Sequence, residues 1–95
     1  MKTATKVREL EGWRSHAILF RLSEPMEYGH YEDDQGSTEY VIVSAVVADF
    51  SGPETYIFPA REDGTSISMS ELNGSYRGGL DHREALAGAG YTVVG

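Results

Sequence analysis

Hydrophobic positions in this chain alternate far more often than they recur at helical spacing, and the alternation picks out strands. The cleanest early run is His16–Leu22: Ile18, Phe20 and Leu22 share one face, and Ala17, Leu19 and Arg21 the other. Thr5–Leu10 alternates less cleanly, and the Glu11-Gly12 turn behind it predicts that the two runs pair as a hairpin. Trp13, beside that turn, offers a large surface for clamping the hairpin to a core. Glu39–Phe50 is the strongest strand signal, with Val41, Val43, Ala45 and Val47 on one face and Tyr40, Ile42, Ser44, Val46 and Ala48 on the other. Two apolar faces predict a central strand, covered on both sides or covered on one and paired with a partner on the other. Ser51-Gly52-Pro53 then turns the chain into Glu54–Ala60, where Tyr56 and Phe58 share a face and Pro59 marks a strand end or a sheet edge. Glu62-Asp63-Gly64 signals another turn before a short strand in Thr65–Ser70.

The remaining segments break this pattern. Ser23 to Thr38 reads as a loop, punctuated by Pro25, Gly29, Gly36 and a cluster of acids, with Tyr28, His30 and Tyr31 arguing for partial packing. Asp81-His82-Arg83-Glu84 reads as a helix start: Asp81 accepts from the first-turn amides and Glu84 reaches back to the cap amide. Leu80 stands at the staple position, Leu86 and Ala89 continue an apolar stripe, and Gly90 suits the residue after the C-cap. Tyr91 to Val94 reads as a closing strand or a tail. Together these predict an α+β fold: a small, mainly antiparallel sheet of four to five strands with one short C-terminal helix.

Composition sharpens this picture. Ninety-five residues suit a single domain spanning 1–95, with the acidic loop at about 23–38. Six Leu, four Ile, seven Val and three Phe are a thin supply for a core, supplemented by one Trp and six Tyr. The absence of cysteine excludes disulfides, thiolate nucleophiles and cysteine-ligated metals. No apolar run approaches the ~18 residues of a membrane span, and no signal-peptide core is evident, so a cytoplasmic protein without a membrane partner is expected. The net charge of −7 is uneven. Residues 24–39 hold Glu24, Glu27, Glu32, Asp33, Asp34 and Glu39 with no Lys or Arg, whereas residues 1–23 are net basic. Such a chain repels phosphate backbones, which argues against binding nucleic acid; its field suits a basic partner or imitation of nucleic acid.

Candidate chemistry is sparse. His16, His30 and His82 share no metal-site spacing, and His30-Tyr31-Glu32-Asp33-Asp34 lacks the alternation of a calcium loop. No Gly-x-Ser-x-Gly elbow is present, and the abundant carboxylates single out no acid–base pair. Gly74–His82 places glycines before a helix, but Asp81 would occupy the amides an anion needs. That stretch reads as a turn seating the helix, with Arg77 ion-paired or stacked on a tyrosine. The expectation is a non-enzymatic protein with neither metal nor cofactor.

Val7-Arg8-Glu9-Leu10-Glu11-Gly12-Trp13 with Ala17-Ile18-Leu19-Phe20-Arg21-Leu22 forms one distinctive stretch. Gly52-Pro53-Glu54-Thr55-Tyr56-Ile57-Phe58-Pro59-Ala60, followed by Gly78-Gly79-Leu80-Asp81-His82 and Ala89-Gly90-Tyr91, forms another. On these the chain resembles, over most of its length, small uncharacterised proteins encoded by tailed phages of actinobacteria. The resemblance transfers no catalytic or binding residue. It implies a setting, the cytoplasm of a bacterial host, and hence an accessory protein that binds a host or phage protein. Trp13, Tyr28, His30, Tyr31, Glu32, Asp33 and Asp34 are the expected interaction residues, the aromatics as anchors and the acids as steering charges. A self-associating scaffold, joined through a sheet edge or face, and an acidic nucleic-acid mimic are the alternatives.

Overall fold

A computed structural model describes residues 2–28, 36–48, 52–67, 72 and 74–94. Six strands and one helix follow in the order β1 (Thr3–Leu10), β2 (His16–Tyr28), β3 (Gly36–Ala48), β4 (Gly52–Ala60), β5 (Tyr76–Arg77), α1 (His82–Gly88) and β6 (Thr92–Val94). The strands form one sheet in the order β5-β4-β3-β2-β1-β6, curled into a half-barrel. Every neighbouring pair is antiparallel except β1 and β6, so the sheet is mixed. The expected strands from Thr5 to Ala60 are present, β3 is central, and the α+β class holds in outline. The strand count is six rather than four or five, because the two-residue β5 and three-residue β6 are too short to leave an alternation pattern. Thr65–Ser70 is not seen as a strand: Ser66 makes only an isolated bridge to Ala60, and residues 68–70 lie outside the described residues. No helix among the described residues is long and apolar enough to cross a membrane.

The segment read as a loop over 23–38 is extended at both ends. β2 continues through Tyr28 and β3 begins at Gly36, with Tyr28 opposite Gly36 and Met26 opposite Thr38. Between Arg21 and Met26 the register shifts, and Pro25 lies in that irregularity, where its missing N–H breaks no regular ladder. Two contacts hold the irregular stretch: Thr3 N–H donates to the Ser23 hydroxyl and the Tyr91 hydroxyl donates to the Glu24 carbonyl, each at 2.8 Å. Met26 is thereby returned to the core.

Both faces of β3 are buried, by different means. On the helix side, Ile18, Phe20, Leu22, Met26, Val41, Val43 and Ile57 pack with Ala85, Leu86 and Tyr91. On the opposite side, Ala17, Leu19, Ile42 and Ala60 pack with Leu10, Trp13 and Tyr40. The Arg61–Thr65 turn laps towards β1 there: Arg8 Nη2 donates to the Asp63 carbonyl at 2.6 Å. Pro53 and Pro59 sit in β4 without cost to the β3 ladder. They share the parity of Ile57, whose N–H and carbonyl point away from β3, to Ser75 and Leu72.

The helix begins as expected at Asp81, whose carboxylate accepts from the amides of Arg83 and Glu84 at 2.9 and 3.2 Å. The return arm differs. The Asp81 amide donates to the Tyr76 hydroxyl at 3.0 Å, in place of Glu84. Leu80 forms no staple and is 49% exposed. At the other end, Tyr91 N–H reaches the Leu86 carbonyl and Gly90 N–H the Ala87 carbonyl, with Gly90 at φ 95. This Schellman closure turns the chain into β6 and drops Tyr91 into the core.

The helix lies close to the sheet because Gly74 has no side chain. A Cβ there would run into the Ala85 carbonyl and come within 2.9 Å of both Ala89 Cβ and Ile57 Cδ1, and its φ is +101. Gly12, at φ +84, has open space around it. Gly12→Ala is therefore expected to cost only the ~1–2 kcal/mol of a left-handed backbone. Gly74→Ala adds an overpacking cost of about 1–3 kcal/mol. Thermal unfolding of the two variants checks this: Tm should fall clearly further for Gly74→Ala, and equal losses would contradict the close approach.

Candidate functional site

Among the described residues, the sheet face opposite the helix carries the aromatic side chains that lie outside the main core. The register builds it in rows. Arg8, Leu19, Ile42 and Phe58 lie side by side across β1 to β4; Leu10, Ala17, Ser44 and Tyr56 form the next row, and Arg21 pairs with Tyr40 in the row before. Trp13 comes over from the β1–β2 turn and stacks on Phe58, ring centroids 6.3 Å apart, and Phe58 in turn stacks with Tyr56 at 5.9 Å. Leu19 and Ile42 are sealed beneath, while Trp13, Tyr40 and Tyr56 remain partly exposed. The buried Ser44 hydroxyl is satisfied by a hydrogen bond with Ser15. The result is a sheet surface of three partly exposed rings on a rigid apolar floor.

At the β4–β5 edge this face meets a pocket of about 220 Å³ lined by Tyr56, Ser75, Tyr76 and Arg77. Its walls are fixed. The Ser75 hydroxyl accepts from Ile57 N–H at 2.8 Å, and the Tyr76 hydroxyl holds the helix cap. Arg77 Nε donates to Glu54 Oε1 at 3.1 Å, so the arginine is ion-paired, one of the two roles expected of it. Glu54 is buried and Arg77 is 67% exposed, which leaves the far edge of the guanidinium facing solvent above the pocket.

A second cluster joins residues that the sequence leaves unconnected. His82 Nε2 donates to the His16 carbonyl at 2.8 Å across 66 positions, and the two imidazoles meet edge to face, centroids 4.8 Å apart. His16 Nε2 in turn donates to Glu9 Oε1 at 2.6 Å. Glu9 also faces Lys6 at 3.7 Å. The hydrogen bond from His16, with help from the Lys6 charge, holds the Glu9 carboxyl below the usual carboxylate range. Burial pushes the His82 imidazole below its ordinary value, with a smaller push in the same direction from His16. Among the described residues, no group of three or more His, Asp or Glu has the geometry to hold a metal.

The expected interaction residues are thus divided. Trp13 belongs to the aromatic face. Tyr28 does not: it lies over Gly36 and packs against the helix-side core, so the structure separates it from Trp13. His30, Tyr31, Glu32, Asp33 and Asp34 lie outside the described residues. Phe58, the stacking partner of Trp13, and Tyr40, which shares the floor of Leu19 and Ile42 with it, are not among the expected interaction residues. Alternation places Tyr56 and Phe58 on one face, but only the inter-strand register puts that face under Trp13. The chain matches no known family model, no curated protein and no solved structure.

The Glu54–Arg77 pair yields a direct test of the pocket wall. Arg77→Ala should destabilise the domain by about 1–2 kcal/mol, the value of a charge-assisted hydrogen bond reduced for solvent exposure of the arginine. Adding Glu54→Gln should recover part of that loss, since the buried charge is removed with its partner. Chemical denaturation of the single and double variants measures it, and a double variant no more stable than Arg77→Ala would contradict the pairing.

Proposed function

We propose that this protein is a non-enzymatic binding domain that docks on another protein through the aromatic sheet face opposite its helix. The observation that carries the reading is the stack Trp13–Phe58–Tyr56, laid across a sheet face that no helix among the described residues covers. Rings of this kind bring large contact area at small entropic cost, and their bases are already fixed by packing. Trp13, Tyr40 and Tyr56 act as anchors. Arg21 and Arg77, on the same face, supply polar contacts at its rim. The resemblance to proteins of actinobacterial phages supports a host or phage protein in the bacterial cytoplasm as the partner class. Glu32, Asp33 and Asp34 then steer encounter with a basic partner.

Self-association through a sheet edge is opposed by the edges themselves. β5 and β6 are two and three residues long. The part of β1 beyond the β6 pairing carries Lys6, Arg8 and an irregularity at Val7, which are devices that discourage strand addition.

The test is a tagged pull-down from actinobacterial lysate with the unaltered protein, with Trp13→Ala/Tyr56→Ala, and with Glu32, Asp33 and Asp34 changed to Gln or Asn. Circular dichroism and Tm confirm folding of each. A stoichiometric protein should be retained by the unaltered chain and weakened at least ~30-fold by the aromatic variant, the scale of losing one hot spot. The acid variant should slow association more than it speeds release. Full retention by a folded aromatic variant would remove the face from the interface, and capture of a DNA-binding protein dependent on the three acids would favour nucleic-acid mimicry.

A further inference from the structure

We infer that His16 and His82 form a pH-sensitive latch that fastens the start of α1 to the sheet and loosens on mild acidification. Three elements converge there: β1 brings Glu9 and Lys6, β2 brings His16, and α1 brings His82, followed by Arg83 and Glu84. Tyr76 of β5 adjoins the cluster through its hydroxyl, which accepts from the Asp81 amide. In the neutral state both imidazoles donate through Nε2, His82 to a carbonyl and His16 to a carboxylate, so any further proton goes to Nδ1.

His16 has the Glu9 carboxylate against its ring. A charged His82 keeps its hydrogen bond to the His16 carbonyl, yet it is partly buried and has the other imidazole 4.8 Å away. The adjoining N-cap acid, Asp81, is engaged with the amides of Arg83 and Glu84. His82 also stands in the first helical turn, where the exposed amide dipoles disfavour a cation. Burial is the largest of these influences and, with the neighbouring imidazole, favours neutral His82 in the folded chain; the hydrogen bond to the His16 carbonyl and the attraction of the Asp81 and Glu9 charges oppose it without outweighing it.

The direction of the effect follows from linkage. Unfolded, His82 takes its proton near the ordinary imidazole value of about 6.5; folded, it does so at lower pH. The latch therefore contributes fully above about pH 6.5 and its contribution is lost as pH falls below that value. Because Asp81 is also bonded to Tyr76, loosening of the first turn is transmitted to the wall of the pocket.

The measurement is an NMR titration of the imidazole and Tyr76 ring signals in the unaltered protein, with Tm of that protein and of His82→Gln at about pH 7.5 and about pH 5. Gln keeps an N–H donor for the His16 carbonyl but does not titrate. His82 should titrate below the ordinary imidazole value, with Tyr76 following the same midpoint. The fall in Tm on acidification should be smaller in His82→Gln than in the unaltered protein. An His82 that titrates at or above the ordinary value would overturn the latch, as would equal Tm losses in the two proteins. Should the variant not fold, the titration of the unaltered protein still decides.

Discussion

Burial of both faces of β3 is the constraint from which the rest of the domain follows. Val41, Ile42 and Val43 are fully excluded from solvent although they point alternately to opposite sides, so each side needs its own cover. The one helix among the described residues is short, and it goes to the side of Val41 and Val43. The side of Ile42 is closed instead by Trp13, Phe58, Tyr40 and the turn after β4. A surface covered by side chains rather than by an element ends in partly exposed rings, and this gives the domain its aromatic face.

The helix cover depends on small residues and on closely placed polar groups. Gly74 lets α1 approach the sheet, Asp81 and Tyr76 close its first turn, and the Gly90 closure sends Tyr91 inwards, where its hydroxyl reaches the irregular stretch of β2. One aromatic side chain thereby ties the helix end, β2 and the parallel β1–β6 pair together. The polar groups are placed with the same economy: none of the buried side-chain nitrogens and oxygens among the described residues lacks a partner.

Much of this was legible in the residues. The alternation in His16–Leu22 and Glu39–Ala48, the Gly12 turn, the Asp81 cap and the Gly90 stop each act through neighbours in sequence, and each appears where its local chemistry places it. Trp13 also clamps the β1–β2 hairpin to a core, as its size and position suggested. What escaped reading depends on register or on distant partners. Ser23-Glu24-Pro25 disguised the continuation of β2, because an irregular register removes the alternation that marks a strand. Leu80 and Glu84 had the right spacing for a staple and a capping box, but the Tyr76 hydroxyl reached the Asp81 amide. The meetings of His16 with His82 and of Trp13 with Phe58 are products of the fold alone. Glu32, Asp33 and Asp34 stand out in the sequence for their charge, whereas the aromatic face arises from residues scattered along it.

Native-state hydrogen exchange tests most directly whether β3 holds both layers together. The amides of Val41, Ile42 and Val43 should exchange only through global unfolding, while those of β6 and the first turn of α1 open locally at lower free energy. Exchange of the β3 amides through a local opening as easy as that of β6 would contradict it.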